Sequence, residues 1–508
     1  MFEFCIELLR SCLENPLLLL GIGTILYLAV LSYLTGEARK LKHIPSAYSN
    51  IAAISFIQTW WYFFQGKKLV DASFKKWPRS MFRIQEALGW TVVASDRKVI
   101  TEVLRLQDIS FSANQANEEL VQLKHTLGSA ILNNPYHLPL LSNRLRRSLA
   151  HLVPDVHDEI TNAFQTYIPL TEDWTPIKCS SIVPKMVCQA SNRIFVGYPL
   201  CRNPEFTEFS TRFTFDVFTV AFILRFIPDF LRPLVNQIIS TVPNRRRKAL
   251  KFLGPLLDAR RKQNEESNGP GGAEKPDDMI TWLMEIAKGE ETTNEALTDR
   301  LLAINFGAIH TTSVTFTHAL YYLAAFPMYA EILREEIDVV VKEHGWTKGG
   351  LDQMKRVDSF LKESQRLNPL QNVGLGRVAL QDHTFCDGTF VPRGTTVRIN
   401  IHSPHFDGSL YERPDEFDPL RFIKMQEKTT RNLDLTSTSE EYLGFGHGRH
   451  ACPGRYLAAS ELKLMLAYLT AHYDAKFANE GSRPADLWIM TSCMPSYTAE
   501  VLFRKRKN

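Results

Sequence analysis

Eight cysteines are scattered along the 508 residues, at positions 5, 12, 179, 188, 201, 386, 452 and 493, and no two are spaced as C-x-x-C. A cysteine zinc site is therefore disfavoured, and each thiol must be judged singly. Only Cys452 stands in a glycine-rich loop. Tyr442 to Leu469 reads YLGFGHGRHACPGRYLAASELKLMLAYL, with Gly444, Gly446 and Gly448 ahead of the cysteine and Pro453 and Gly454 behind it. An apolar helix follows. Glycine lets a backbone turn and approach a ligand closely, and proline is tolerated in a first helical turn. The cysteine thus falls at a helix N-terminus, where the dipole and free N–H groups favour a thiolate. A thiolate with hydrogen bonds to its sulfur is what an electron-rich axial iron ligand requires. The competing reading is a dinucleotide loop. It fails because Arg449 occupies the last glycine position of G-x-G-x-x-G and no βαβ unit follows.

A second spacing is E-x-x-R, Glu363 and Arg366 in LKESQRLNP. It places both side chains on one helix face, where they can pair; alone it describes many solvated surface pairs. His402 and His405 lie close together but lack an H-E-x-x-H context, so they read as structural.

These residues need elements to hold them. Thr292 with Glu295 forms a capping box, and a largely apolar run then extends from Ala296 to Ala325, with Pro327 just beyond. The pattern predicts a helix of about 30 residues, roughly 45 Å long. A helix apolar on nearly all sides belongs in the middle of a domain. Its centre, Asn305 to His318, puts Gly307, Ala308, Thr311 and Thr312 where leucine would pack better. Glycine costs about 1 kcal/mol against alanine within a helix. Either another helix crosses closely there, or a groove admits a flat ligand with a hydroxyl facing it.

The composition is that of an ordinary globular protein, 44% hydrophobic and 22% charged, which excludes wholesale disorder, a collagen-like fibre and a multi-spanning membrane protein. A net charge of +4 is too small for a nucleic-acid binder. From Asn15 to Gly36 there is no charged residue, long enough to cross a bilayer and longer than a signal-peptide core. Arg39, Lys40 and Lys42 follow it and should remain cytosolic. The reading is an anchor and linker over residues 1–44, spanning the membrane at about 16–36, and a catalytic domain over 45–508. Gln263 to Asp278 reads as an exposed loop, and Thr211 to Ile239 as short helices broken by Pro228 and Pro233. Most of Lys67 to Asn368 reads as helix. Short β-branched runs with Asp-Gly and Arg-Gly turns make Val373 to Arg398 a small sheet, with another β patch at Leu487 to Phe503. The fold class is mainly α with a small β region.

Taken together the motifs resemble the cytochrome P450 family. Its haem loop, F-x-x-G-x-x-x-C-x-G, is matched by Phe445, Gly448, Cys452 and Gly454, and its E-x-x-R by Glu363 and Arg366. FDPLRF, with Pro419, Arg421 and Phe422, is similar to the family's P-x-R-F. The resemblance implies an ion-pair triad of Glu363, Arg366 and Arg421, a haem iron held by Cys452, and Thr311 as the oxygen-activating threonine. It covers essentially the whole chain. The fold implied is the cytochrome P450 fold, preceded by a single N-terminal transmembrane helix.

Some positions depart from the family. An acidic residue usually precedes the threonine; here it is His310, which either relays protons, as a neutral imidazole can, or fills space and satisfies a carbonyl. His450 stands where many relatives have an arginine to a haem propionate. No clear W-x-x-x-R is present. The matching helix is HLPLLSNRLRRSLAHL, with Arg144, Arg146 and Arg147 as candidates for a propionate contact and Arg147 favoured, or else an exposed basic face. Arg377 in GLGRVAL matches a family position near the haem edge. The strings G-A-I-H-T-T and G-R-H-A-C-P-G-R resemble fungal members acting on diterpenes and indole diterpenes.

The resemblance implies a haem-thiolate monooxygenase that uses O2 and electrons from NADPH through NADPH-cytochrome P450 reductase, anchored in the endoplasmic reticulum membrane. The alternatives are a haem-thiolate isomerase or dehydratase without a redox partner, and a non-catalytic haem protein that binds a ligand. Retention of Thr311 argues against the isomerase. By position the pocket is lined from Phe111 to Leu132, Phe213 to Phe226, Phe306 to Thr312, Gln371 to Leu375 and Met490 to Met494. These stretches are largely apolar and offer no arginine pair for a carboxylate, so a lipophilic substrate, a terpenoid or meroterpenoid of fungal secondary metabolism, is expected.

Overall fold

The computed structural model describes residues 36, 39–48, 52–78, 80–87, 89–267 and 275–507. The expected anchor at 16–36 lies outside them, Gly36 apart. Among the described residues no helix is long and apolar enough to cross a membrane.

Eight helices frame the site: α1 (Ala52–Lys76), α2 (Ala113–Val121), α3 (Leu145–Tyr167), α4 (Cys179–Phe195), α5 (Pro204–Arg225), α6 (Asn294–Ala325), α7 (Lys355–Leu367) and α8 (Arg455–His472). Helix α6 runs through the main core, burying Leu297, Leu301, Phe316, Leu320 and Leu323, and α4, α7 and α8 pack against it. Its 32 residues agree with the apolar run, but the cap is Thr293, whose hydroxyl accepts from the Ala296 amide at 3.2 Å. Thr292 instead lies in a 3-10 turn and donates to the Gly289 carbonyl.

A second core lies around a five-stranded sheet of β1 (Phe82–Glu86), β2 (Gly89–Ala94), β3 (Phe111–Ser112), β4 (Val373–Ala379) and β5 (Thr396–Asn400), in the order β1-β2-β5-β4-β3. Strands β2 and β5 run parallel, with Thr91 beside Thr396; the other pairs are antiparallel. Half of this sheet comes from a region whose sequence reads as helix. The reason is burial on both faces: β1 buries all five residues, polar ones included, so no period-2 alternation marks it. Leu41 and Ile44 belong to the same core.

The C-terminal β patch is real but divided. Leu487–Ile489 pairs with Ser492–Met494, while Val501–Lys505 pairs with Tyr473–Lys476 and Thr175–Ile177. Helix α5 starts before Thr211, and Pro228 stands beyond its end, ahead of the short helix Arg232–Ile239. Of the expected loop from Gln263 to Asp278, Gln263 to Ser267 instead complete the helix Val242–Ser267, and 268–274 lie outside the described residues.

Candidate active site

The glycine loop brings Cys452 to the N-terminus of α8, with Gly454 as the residue before the helix. The Cys452 amide donates to the Phe445 carbonyl at 2.8 Å, closing the loop on itself. Gly446 and Gly448 have φ of +70° and +69°, a region that side-chain-bearing residues rarely adopt. Gly444 is required by proximity, since a Cβ there would stand 2.6 Å from Gln365 Oε1. Burial pushes the Cys452 thiol up; the amides of Gly454 and Arg455, which reach the sulfur, and the Arg455 guanidinium act the other way. An anionic sulfur in this turn is thus provided with N–H donors but needs a further cation to offset its burial.

The loop is held from below by a buried ionic network. Both Glu363 oxygens accept from Arg366, Nε to Oε2 and Nη2 to Oε1, each at 2.8 Å, and Arg421 Nε reaches Oε1 at the same distance. Arg366 Nη1 also donates to the carbonyls of His405 and Pro414. Arg421 donates to those of Glu412, Arg413 and Glu416. A buried ion pair survives only when its remaining donors are satisfied in this way. His405 extends the network to the loop, through Leu443. Phe445 packs on the main core.

Helix α6 is buried on most of its surface, yet Gly307 and Thr311, one turn apart, are exposed within it. A Cβ built on Gly307 would meet nothing within 4 Å. Of the two readings of the small residues, a crossing helix is excluded at this point and an open groove is what the fold contains. The Thr311 hydroxyl donates to the Gly307 carbonyl at 2.7 Å, and its own oxygen remains free to accept. His310 points elsewhere. Its Nε2–H donates to the Thr211 carbonyl of α5 at 2.8 Å, and its ring meets Phe215 edge-on at 4.6 Å. Nδ1 is therefore the unprotonated nitrogen, and burial keeps the imidazole below its usual pKa.

Arg377 donates through Nη1 to the carbonyls of Leu375 and Gly376, while its Nε is buried without a partner. His450 gives its Nε2–H to Asp108 at 2.7 Å, a carboxylate far away in the chain that no local pattern singles out. Of the three candidate arginines, Arg144 pairs with Glu285 and Asp277 and lies over Trp282, and Arg146 lies over Tyr456. Arg147 is exposed and makes no ion pair among the described residues. These features fit a flat iron macrocycle carrying carboxylates. There is a sulfur donor in an N–H-rich turn, a helix face bare at Gly307, and orphaned N–H groups on Arg377 and Arg455.

A second cysteine also has metal-ligand neighbours. His318, Asp486 and Cys493 bring their ligand atoms within 4.8 Å of one another. Arg483 closes that cluster, donating to His318 Nδ1 at 2.6 Å and pairing with Asp486 at 2.8 Å. A cation there would face a guanidinium and find the His318 lone pair taken. Burial pushes the Cys493 thiol well up, so it is a poor thiolate.

The fold and the sequence can be set beside known proteins. The family model of cytochrome P450 matches residues 57–503. Cytochrome P450 monooxygenase 151 of Postia placenta is 38% identical over 484 residues, 94% of this chain and 97% of its own. An ent-kaurene oxidase of Gibberella intermedia is 31% identical over 452 residues, 87% of this chain and 84% of its own. Cytochrome P450 monooxygenase paxQ of Penicillium paxilli is 33% identical over 460 residues, 87% and 88% of the two chains. Among solved structures, a retinoic acid-bound cyanobacterial relative superimposes with a TM-score of 0.67 at 19% identity, over 87% of this chain and 96% of that one, a likeness of fold. A thiol in an N-terminal turn, an ionic network beneath it and an open groove on a buried helix meet in a chain of that descent, which makes this protein a haem-thiolate monooxygenase of the cytochrome P450 family.

Proposed function

We propose that Cys452 is the axial thiolate of the haem, and that the protein hydroxylates or oxidises a terpenoid or meroterpenoid of fungal secondary metabolism. Two features support this: the Cys452 turn opens α8, which packs against α6, and α6 is bare at Gly307 and Thr311. Bound haem supplies O–O cleavage, favoured by thiolate electron density. In the overall balance, substrate, O2, NADPH and a proton give oxidised substrate, water and NADP+. The chain's own share is to keep the site dry, orient the substrate and deliver protons. Thr311 holds its proton on the Gly307 carbonyl and can pass a hydrogen bond onward by rotating its hydroxyl. Arg377, His450 and Arg147 are the proposed partners of the propionates. The substrate class is supported by the relatives named ent-kaurene oxidase and paxQ, and by the aromatic lining of α5, where Phe218 meets Phe306 of α6 at 5.1 Å.

Electrons come from NADPH-cytochrome P450 reductase in this reading. The protein sits on the endoplasmic reticulum membrane, with residues 16–36 as a single anchor and the catalytic domain in the cytosol. Exposed apolar side chains support a membrane-facing side: Trp61 and Phe64 on α1, and Phe230 and Ile238 after α5. The carbon monoxide difference spectrum of the reduced protein tests the ligand. The thiolate band should vanish in Cys452→Ser and persist in Cys493→Ser; the reverse pattern rejects the assignment. NADPH consumption coupled to product with purified reductase separates a monooxygenase from an isomerase.

A further inference from the structure

A buried ammonium stands on α7, one residue before Glu363. Lys362 is 1% exposed, and its partners are backbone carbonyls rather than carboxylates. Nζ donates to Leu433 at 2.9 Å, to Asp434 at 3.0 Å and to Ser437 at 3.3 Å. An ammonium has three N–H donors and no acceptor, so three carbonyls use all of them. Two ring faces complete the enclosure, Tyr442 at 4.2 Å and Phe422 at 4.8 Å from Nζ. Burial pulls the Lys362 pKa down to about 7, and Asp358 and Asp434 act the other way. A charge taken out of water is tolerated when its hydrogen bonds are made in this way.

The three carbonyls belong to one turn, closed by the Ser437 amide on the Asp434 carbonyl at 2.8 Å. Asp358 stands one helical turn before Lys362 on α7 and takes the opposite pole of the same segment. Its Oδ2 accepts from the Leu435 amide at 2.6 Å, and its Oδ1 holds Lys463 of α8 at 2.8 Å. Helix α7 thus grips residues 433–437 by carbonyls through Lys362 and by an amide through Asp358.

The same grip reaches the cysteine loop. Tyr442, whose ring covers the ammonium, donates its hydroxyl to Gln365 Oε1 at 2.5 Å, and Gln365 Nε2 donates to the Gly444 carbonyl at 3.4 Å. The other neighbour of the Tyr442 ring is His405, stacked at 5.4 Å, which accepts the Leu443 amide. Thr438, next after the turn, is hydrogen-bonded to His447 Nδ1 at 3.0 Å. The turn and the start of the loop therefore share one set of anchors, and the Cys452 amide closes on Phe445, the residue after Gly444.

We propose that Lys362 is a positioning residue for the cysteine loop: its ammonium is the internal cation around which residues 433–437 fold, and through Tyr442 and that turn it fixes where Cys452 stands. The proposal rests on the haem-thiolate reading and adds to it a cation that is no part of the Glu363 ion pairs.

The test uses the purified full-length protein loaded with haem, in detergent at about pH 6, where the ammonium predominates. Loss of the thiolate band from the reduced carbon monoxide spectrum is timed in a fixed, low concentration of guanidinium chloride. Lys362→Met, similar in length and uncharged, should lose the band at least about tenfold faster than the parent. Arg334→Met is the comparison. Arg334 also donates to backbone carbonyls, those of Thr470 and Tyr473, but at the far end of α8. A general loss of stability acts alike in both variants, so equal acceleration for an equal fall in Tm overturns the proposal. Hydrogen exchange of the parent, read by mass spectrometry across a denaturant series, needs no variant and decides the matter where Lys362→Met takes up no haem. Peptides from 433–442 and 443–452 should open together. A loop that stays protected while the turn exchanges overturns the proposal. A parent protein without the thiolate band strikes the haem-thiolate reading instead, and the exchange series still shows whether turn and loop open as one.

Discussion

His405 ties the ionic network to the cysteine loop through Leu443. Its Nε2 accepts from the Leu443 amide at 2.9 Å, and its Nδ1–H donates to the Arg366 carbonyl at 3.0 Å. The bond accepted at Nε2 needs the neutral imidazole, and burial lowers its pKa to about 3. Replacing His405 with alanine leaves a buried donor and a buried acceptor unpaired, at about 1–3 kcal/mol each. Haem should then be lost at lower denaturant concentrations than from the parent, as followed by the Soret band.

The same histidine predicts an acid dependence. Its folded pKa lies below the ordinary 6.5, so between pH 6.5 and about 3 the unfolded chain binds a proton that the folded chain refuses. His137, His157 and His318, each lowered to about 4, behave likewise. Stability should be full above pH 6.5 and decline as pH falls through this window, with a limiting slope of about 1.4 kcal/mol per pH unit for each fully buried histidine. Urea unfolding at pH 7.5, 6 and 5 measures it. A midpoint independent of pH over that range contradicts the assignment of neutral histidines.

Glu363 is the anion on which Arg366 and Arg421 both depend. Glu363→Gln leaves two buried guanidiniums without their counter-charge, a loss of about 3–5 kcal/mol. Expression as protein without haem is the expected phenotype. Normal haem content with an unchanged unfolding midpoint would show that the backbone carbonyls suffice.

Thr311 and His310 should separate in their effects. Thr311→Ala removes the hydroxyl from the open face of α6 and should retain haem and substrate binding while releasing reducing equivalents as hydrogen peroxide. General acid–base assistance is worth about 10²–10⁴-fold, so product formation should fall far beyond any change in stability. His310→Ala breaks the bond to Thr211, so it should mainly loosen α5 and raise KM. Equal uncoupling in both variants would instead make His310 a proton carrier.

Deletion of residues 1–36 should leave a protein that folds and binds haem. Deletion to residue 48 also removes Leu41, Ile44 and Tyr48, which are buried in the sheet's core. Each such side chain stabilises by about 1.5–3 kcal/mol, so the longer deletion should melt well below the shorter one. Coincident melting curves would show that this segment contributes little.

What is legible in the sequence depends on the range of the interactions. The cysteine turn, Glu363 with Arg366, and the long central helix are each set by residues close in the chain, so their spacing is legible, although Glu363 and Arg366 are told from a surface pair only by their place ahead of the cysteine loop. The mainly helical class follows from the apolar runs, while the lipophilic pocket is an expectation carried over by position from the family resemblance. What only the tertiary structure decided joins distant segments. Strands β1 and β2, buried on both faces, carry no alternation and became visible through the pairing of Thr91 with Thr396. His405 could be read as structural, but not as the bridge between Arg366 and Leu443. The hydrogen bond from His310 to the Thr211 carbonyl joins two helices distant in the chain, so only the fold shows it. Arg225 and Arg398 meet only because a helix end and a strand converge on Glu86. A charge acts through space at 3–4 Å whatever the chain length between the partners, so only the folded arrangement reveals which arginines share an acid.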